Sequence, residues 1–374
     1  MARYRHTRRL LSVSVLLPTI VAGALTVLTP AAAATSPPSS GRVPSASSTN
    51  GPLEAVRGMQ SGLPTDAFGV AVLGTLGSDL YLFGSQGETT GAIKGVWRYR
   101  SGSWTKLGEA SRGLDYNRLA MYGAVEYQGH LYIGDRRSGN LYRLVLNADG
   151  SFQDVVSAAK VGNEDVFPGP VWNGNMVLGT FVAYHTGENA GLYTYDGATV
   201  TKRFDFKALG NAGMVTSIVP HGNDIWVTGV NATNTLSQVW KFDKSFRATL
   251  LSSGPADYRL VTSGRSLFAI RTVFAFPYET HSFVKWERNQ FVKVSNETGP
   301  FLWIGSIGAI ALNGELLDLC YYNGVYSYSP GGTLQQMVPG MPDMGAPLSV
   351  EFHDGYLWMA TNQPIGLYRM KIGT

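Results

Sequence analysis

The sequence has little cysteine and little charge. Of its 374 residues one is a cysteine, Cys320, and 15% are Asp, Glu, Lys or Arg. A single cysteine excludes an internal disulfide and therefore a small disulfide-stabilised scaffold. The low share of charged residues, beside 44% hydrophobic residues, excludes an acidic disordered chain and a coiled coil.

The chain also lacks a net charge once its first residues are set aside. The formal charge of +4 equals the contribution of Arg3, Arg5, Arg8 and Arg9, the charged residues of positions 1–34. Without them 26 basic residues face 26 acidic ones. A neutral chain has no net attraction for phosphates or anionic lipids, so we expect neither a nucleic-acid partner nor a membrane partner.

The N-terminus has the pattern of an export signal. Four arginines precede an apolar stretch at residues 10–28, and Ala32-Ala33-Ala34 follows as a small-residue cleavage site. Pro18 and Gly23 interrupt the stretch, which disfavours a membrane anchor. We predict a signal peptide at 1–34, a flexible Ser/Pro/Gly-rich leader at 35–52, a single domain at 53–374 and a secreted, extracellular protein. The export route, general or twin-arginine, stays open.

Internal repeats predict the fold. A short apolar strand that begins after a tight turn occurs seven times, at intervals of 41 to 51 residues, with anchor residues Leu80, Leu131, Met176, Ile225, Leu267, Leu316 and Leu357. Each is followed by a second strand of alternating pattern, such as Val96-Trp97-Arg98-Tyr99, and most are flanked by two further apolar runs. This pattern predicts an all-β fold, a seven-bladed β-propeller of four-stranded antiparallel blades.

The last repeat lacks a fourth strand. The apolar run at residues 53–59 has no partner in the first repeat and can supply that strand. We therefore predict that an N-terminal strand closes the ring.

Loop lengths differ between the two faces of the predicted propeller. Turns between first and second strands are tight, as at Gln128-Gly129 and Asp354-Gly355, whereas the loops between second and third strands are long. Loops on a rigid scaffold carry function more often than tight turns do, so we place partner binding on the long-loop face. The candidate contacts are Arg136, Arg137, Phe181, Tyr184, Arg271, Phe274, Phe276, Tyr278 and His281. The alternative is that these rings only cover the central channel.

The search for catalytic motifs yields little. The sequence contains no H-E-x-x-H, G-x-S-x-G or phosphate-binding loop. A metal site would have to combine His185 with His281, and Glu126 with Glu351 is the one acid–base pair suggested by position. Cys320 is interpreted as a buried, inert thiol. We therefore predict no catalytic residue, no metal, no cofactor and no enzymatic activity.

The first repeat, from Leu80 to Trp104, resembles a degenerate kelch repeat, although one glycine rather than two follows its second strand. As an exported, cysteine-poor propeller of this length, the chain resembles the dispase autolysis-inducing proteins of filamentous actinobacteria. The resemblance implies a non-enzymatic protein that promotes autolysis of a thermolysin-like metalloprotease and is cross-linked through glutamines by a secreted transglutaminase. Separately, we expect a monomer. The candidate glutamines in this sequence are Gln60, Gln86, Gln335, Gln336 and Gln363.

Two other classes of function stay open. A carbohydrate-binding lectin would use the same aromatic side chains as sugar platforms, although the repeats share no recurrent polar-aromatic pocket. A lyase or glycosidase would need converging catalytic groups, for which Glu126 and Glu351 are the candidates.

Overall fold

Antiparallel strands form nearly all the regular structure of the protein. The computed structural model describes residues 53–56, 63, 72–86, 93–109, 123–135, 139–162, 165–181, 189–209, 213–231, 233, 235–275, 278–302, 306–312, 315–320, 324–328, 334–339, 347–362 and 365–372. Within these residues the helical structure is one 3-10 turn, Lys207–Leu209. No helix in this part of the chain is long and apolar enough to span a membrane. The predicted signal peptide and leader lie outside the described residues.

The first four blades follow one another in sequence. Blade 1 contains β2 to β5 (Val72–Leu76, Asp79–Gln86, Ile93–Arg100, Ser103–Gly108). Blade 2 contains β6 to β9 (Val125–Tyr127, His130–Gly134, Asn140–Leu146, Phe152–Lys160). Blade 3 contains β10 to β13 (Asp165–Trp172, Asn175–Phe181, Gly191–Tyr195, Val200–Asp205). Blade 4 contains β14 to β17 (Met214–His221, Asp224–Val230, Ser237–Phe242, Ala248–Gly254).

The remaining strands continue the pattern with two variations. Blade 5 contains β18 to β21 (Asp257–Ser263, Ser266–Ala275, Tyr278–Glu287, Gln290–Lys293), and β22 (Thr298–Leu302) also pairs with β20. Blade 6 contains β23 to β26 (Ser306–Leu312, Glu315–Cys320, Gly324–Tyr328, Leu334–Pro339). Blade 7 contains β27 to β29 (Pro347–His353, Tyr356–Asn362, Ile365–Lys371) and β1 (Leu53–Ala55). The predicted β-propeller of four-stranded antiparallel blades is confirmed.

The N-terminal strand completes the last blade, as predicted. β1 pairs with β29 so that Leu53 lies opposite Met370 and Ala55 opposite Tyr368. The Val56 N–H donates to the Leu367 carbonyl at 2.8 Å, and Arg369 Nε contacts a Glu54 carboxylate oxygen at 2.8 Å. The first and last strands of the domain are therefore joined by backbone hydrogen bonds and an ion pair.

The hydrophobic core lies between the blades. In the described part of the chain each pair of neighbouring blades shares an apolar cluster, and one of these joins blade 7 to blade 1. That cluster packs Trp358 and Leu367 against Trp97 and Trp104. Alternating residues give each strand two apolar faces, so only stacking around a ring buries both.

Tight turns hold the strands in register. Gln128 and Gly129 both have positive φ, 49° and 73°, as do Asp354 and Gly355 at 51° and 77°. Two successive residues of positive φ give the two-residue turn that matches strand twist. The predicted tight turns at these positions are confirmed.

Candidate functional site

Four polar side chains form a buried cluster between blades 5 and 6. Glu279 and His281 lie on β20, and Asp318 and Cys320 lie on β24. Within each pair the residues are two positions apart, so both side chains leave the strand on the same face. All four are nearly inaccessible, with exposures of 0%, 1%, 1% and 1%.

His281 is the centre of this cluster. Its Nδ1 lies 2.8 Å from Asp318 Oδ2 and 3.4 Å from Cys320 Sγ, and its Nε2 lies 2.9 Å from Glu279 Oε1. The other carboxylate oxygens, Glu279 Oε2 and Asp318 Oδ1, are buried and have no hydrogen-bond partner among the described residues. Both ring nitrogens thus face a carboxylate, while each carboxylate keeps one oxygen without a partner.

Burial and charge shift the titration of these groups. Burial alone would lower the pKa of His281, but the nearby carboxylates, Asp318 foremost, outweigh it and raise this pKa to about 9. Burial, followed by the charge of Asp318, raises the pKa of the Cys320 thiol well above its ordinary value. Burial also raises the pKa of Tyr326 on β25 to about 12, with contributions from Cys320 and Asp318. Without a further cation, the cluster holds a protonated imidazole and a neutral thiol at neutral pH.

The strand register extends this polar row across blade 5. Asp257 on β18 lies opposite Thr272 on β19, and Thr272 lies opposite His281 on β20. Opposite residues of an antiparallel pair share a face, so the three are in one row. Asp257 and Thr272 are also buried, at 3% and 1% exposure. The interface between blades 5 and 6 therefore contains a polar row beside its apolar cluster of Phe268, Ile270 and Leu316.

A long hairpin rises beside the cluster. β19 and β20 have 10 residues each, and their register pairs Phe274 with Glu279 and Ala275 with Tyr278. Tyr278 is 46% exposed at the end of the hairpin, whereas Glu279, the next residue, is fully buried. Arg271 lies opposite Ser282 and Tyr258. The hairpin thus exposes the Tyr278 side chain to solvent, while Glu279 on the other face of the same strand is buried.

The structure describes only part of the predicted contact surface. Phe181 is half-buried at the end of β11, and Phe274 is half-buried in the hairpin. His281 was predicted on the surface, but it is 1% exposed and takes part in the buried cluster. Gln86 lies at the end of β3 and Gln335 and Gln336 lie on β26. Some predicted residues lie outside the described residues: Arg136, Arg137, Tyr184, Phe276, Gln60 and Gln363.

The two glutamates predicted at similar places occupy different positions. Glu126 is opposite Leu131, one pair away from its turn, whereas Glu351 is opposite Trp358, two pairs away from its turn. They therefore belong to opposite faces of their blades. Glu126 is exposed and accepts a hydrogen bond from the Gly77 N–H at 3.1 Å, whereas Glu351 is half-buried and burial raises its pKa to about 7. The pair predicted for acid–base chemistry does not form.

A small cavity opens between blades 3 and 4. It has a volume of about 140 Å³ and is lined by Phe167, Pro168, Gly169, Thr216, Ser217 and Ile218. Ligand pockets for drug-sized molecules have volumes of about 300–1,000 Å³. This cavity is therefore too small to enclose a sugar oligomer.

Comparison with known proteins supports the fold. No family model and no curated protein sequence matches the chain. Among solved structures, an oligogalacturonate lyase in complex with manganese aligns with TM-score 0.53 and 11% identity over 79% of this chain and 86% of the lyase. The WD40 β-propeller domain of Doa1 aligns with TM-score 0.52 and 13% identity over 82% and 92%. A luciferin-regenerating enzyme aligns with TM-score 0.46 and 12% identity over 68% and 91%.

These structures correct one prediction. The prediction that the chain is not an enzyme is wrong, because proteins that share its fold include enzymes, among them the lyase. The absence of a familiar motif was its basis, and a propeller does not need such a motif to carry catalytic groups. At these identities the likeness shows the fold alone and assigns no activity to this chain.

Sequence reasoning missed most of the buried cluster. Asp318 was not predicted as a site residue, Cys320 was predicted to be a buried, inert thiol, and His281 was paired with His185 rather than with a carboxylate. The available signal was the spacing of two in Glu279-x-His281 and Asp318-x-Cys320. That spacing places each pair on one face of its strand, but it does not show that these two faces contact each other.

Proposed function

We propose that this chain is a secreted protein-binding propeller that contacts its partner through the β19–β20 hairpin. The observation that supports the proposal most is the 46% exposure of Tyr278 at the hairpin end, beside a fully buried Glu279. An exposed aromatic side chain on a rigid backbone loses little entropy on binding, which is why tyrosine recurs at the energetic centre of interfaces. Arg271, on the paired strand, lies on the same face as Tyr278 and extends this surface, whereas Phe274 lies opposite Glu279 on the other face.

The partner proposed is a thermolysin-like secreted metalloprotease, whose autolysis the chain would promote. The resemblance of the sequence to dispase autolysis-inducing proteins supports this choice of partner. The same resemblance supports a role as glutamine donor for a secreted transglutaminase. Gln335 and Gln336 are candidate donors because both lie on β26, the outermost strand of blade 6.

Hairpin binding can be tested with paired variants. Tyr278→Ala should weaken the complex with a thermolysin-like protease at least tenfold by calorimetry, because truncating a central aromatic anchor costs about 2 kcal/mol or more and about 1.4 kcal/mol is a factor of ten. The matched control is Phe352→Ala, which removes another exposed ring, 44% accessible, beside the tight turn at Asp354. Equal affinities for both variants would contradict the assignment to the hairpin.

A second candidate function is acid–base catalysis on an acidic polysaccharide. The specific observation in its favour is Glu351, whose pKa is raised to about 7 by burial, the range in which a carboxyl group exchanges protons at neutral pH. A lyase that shares the fold supports a uronate as the substrate class. Incubation with oligogalacturonate, followed by absorbance of the unsaturated product, tests this candidate. Activity that Glu351→Gln abolishes would support it, and no product would exclude this substrate.

A further inference from the structure

We propose that His281, Asp318 and Cys320 form a binding site for a divalent transition-metal ion, with zinc as the best match. Their ligating atoms, one ring nitrogen, one carboxylate oxygen and one sulfur, all lie within 4.8 Å of one another. Nitrogen, oxygen and thiolate sulfur are the ligand atoms of protein zinc sites, and the presence of a thiolate disfavours magnesium and calcium. The proposal is independent of the partner and of the reaction considered above.

The two nitrogens of His281 are arranged for different roles. Nε2 lies 2.9 Å from Glu279 Oε1, which fits an Nε2–H donating to the carboxylate. Loss of the Nδ1 proton then leaves a lone pair on Nδ1, the nitrogen that faces Asp318 and Cys320. Metal-ligating histidines generally donate their other N–H to a carboxylate or carbonyl, which fixes the tautomer and the ring orientation. Glu279 is thus placed as the positioning residue for a ligand histidine.

The separations are close to those of a tetrahedral ion. Bonds of about 2.0 to 2.3 Å put neighbouring ligand atoms about 3.3 to 3.6 Å apart. The Nδ1–Sγ separation of 3.4 Å already matches, and the Nδ1–Oδ2 separation of 2.8 Å must open by about half an ångström. Asp318 Oδ1 is buried without a hydrogen-bond partner among the described residues, so the same carboxylate can offer its second oxygen.

Metal binding would be coupled to proton release. Coordination uses the deprotonated Nδ1 and the thiolate form of Sγ, so binding of the ion displaces the protons that these atoms carry in the metal-free protein.

The burial of the cluster assigns the ion a structural role. His281, Asp318 and Cys320 are each 1% exposed, so a substrate from solvent cannot reach the ion, in contrast to catalytic zinc. The ion would join β20 of blade 5 to β24 of blade 6, across separations of 37 and 39 residues. A chain with one cysteine has no disulfide available for such a link. We infer that the metal fixes the hairpin beside it.

Cobalt titration tests the site directly. The full chain without a histidine tag is stripped with EDTA, dialysed and titrated with Co²⁺, then with Zn²⁺ in competition with a chromophoric chelator. We expect a near-ultraviolet thiolate-to-cobalt band that saturates at one equivalent and is displaced by zinc. Cys320→Ser should abolish the band and weaken zinc binding at least about 100-fold, whereas Glu279→Gln should keep the band and weaken binding about 10–100-fold.

A buried aspartate elsewhere provides the control. Asp135→Asn removes a charge from a residue 4% exposed in blade 2 and should leave the cobalt spectrum and the zinc affinity unchanged. A wild-type chain that shows no thiolate band and no saturable zinc binding would overturn the proposal, and the cluster would then be a hydrogen-bonded imidazolium between two carboxylates. This result is obtained on the unmodified chain, so it holds even where Cys320→Ser does not fold.

Discussion

At the scale of single residues, burial separates side chains that look alike in sequence. Glu126 and Glu351 both lie on the first strand of a blade and each precedes an aromatic residue. Glu126 is one residue pair away from its turn and Glu351 is two pairs away, so their side chains leave the strands on opposite faces. Glu126 therefore remains in water, whereas Glu351 faces the interior. A charged carboxylate loses its hydration when it is buried, and burial raises the pKa of Glu351 to about 7.

We predict that Glu351 makes the stability of the protein depend on pH. Its pKa is higher in the folded chain than its ordinary 4.5, so the folded state holds the proton more tightly. Stability from this group is fully present below pH 4.5 and is lost as the pH rises to about 7. Glu351→Gln should therefore leave stability at pH 4.5 nearly unchanged and raise it at pH 8 by up to about 3 kcal/mol, measured by denaturant unfolding.

The exposed counterpart is the control for this measurement. Glu126→Gln replaces a carboxylate that keeps its contact with water, so we expect no gain in stability between pH 4.5 and pH 8. A gain at pH 8 of the same size in both variants would show that net charge, rather than burial of Glu351, sets the pH dependence.

At the scale of elements, close contacts between strands decide which side chains fit. The first strand of blade 3 passes so near Gly134 that a Cβ added there would lie 1.7 Å from the Val166 carbonyl oxygen. A backbone hydrogen bond also joins the two blades next to Gly134, since the Val166 N–H donates to the Asp135 carbonyl at 2.8 Å. Gly134 thus sets the distance between blades 2 and 3.

We predict that Gly134→Ala strongly destabilises the protein. The added methyl group meets backbone, which cannot rotate away as a side chain can, so the strands must separate at a cost of about 3 kcal/mol or more. Thermal unfolding measures the effect. Gly308→Ala is the matched control, because Gly308 is also on a strand and a Cβ there meets nothing within 4 Å. Similar melting temperatures for the two variants would contradict the argument.

Whether the sequence could predict these elements depends on how far apart in the chain the contacting residues lie. Strands and turns depend on residues within one hairpin, so the alternation around Leu80 and the turn at Gln128-Gly129 were predictable. The cluster of His281 and Asp318 depends on two blades facing each other across 37 residues, and no local pattern fixes that contact. The strand β22, which pairs with β20 in addition to β19 and β21, was missed for the same reason.

At the scale of the whole molecule, stability depends on closing the ring. The apolar clusters between blades form a cycle in the described part of the chain, and the cluster between blades 7 and 1 lies where the first and last strands of the domain meet. That cluster includes Val56 and Leu63 from the N-terminal segment with Trp104 and Trp358. Arg369 lies 4.6 Å from the Tyr356 ring centroid and pairs with Glu54, so the same segment also completes a charged contact.

We predict that removing the closing strand opens the ring, whereas removing the leader does not. Deletion of residues 35–60 takes away the three register pairs of β1, from Leu53 opposite Met370 to Ala55 opposite Tyr368, together with the Val56 hydrogen bond. Burial of the Val56 side chain contributes about 1.5–3 kcal/mol, and the β1 hydrogen bonds and the Glu54–Arg369 ion pair are lost with it, so the melting temperature should fall sharply in calorimetry. Deletion of residues 35–50 leaves all these contacts and should not change the melting temperature. Deletion of residues 35–60 would leave β29 as an exposed edge strand, so this variant should also associate in sedimentation experiments. Glu54→Gln removes only the ion pair and should not associate. An unchanged melting temperature after the longer deletion would mean that the contacts of blade 7 with blade 1 hold the ring without β1.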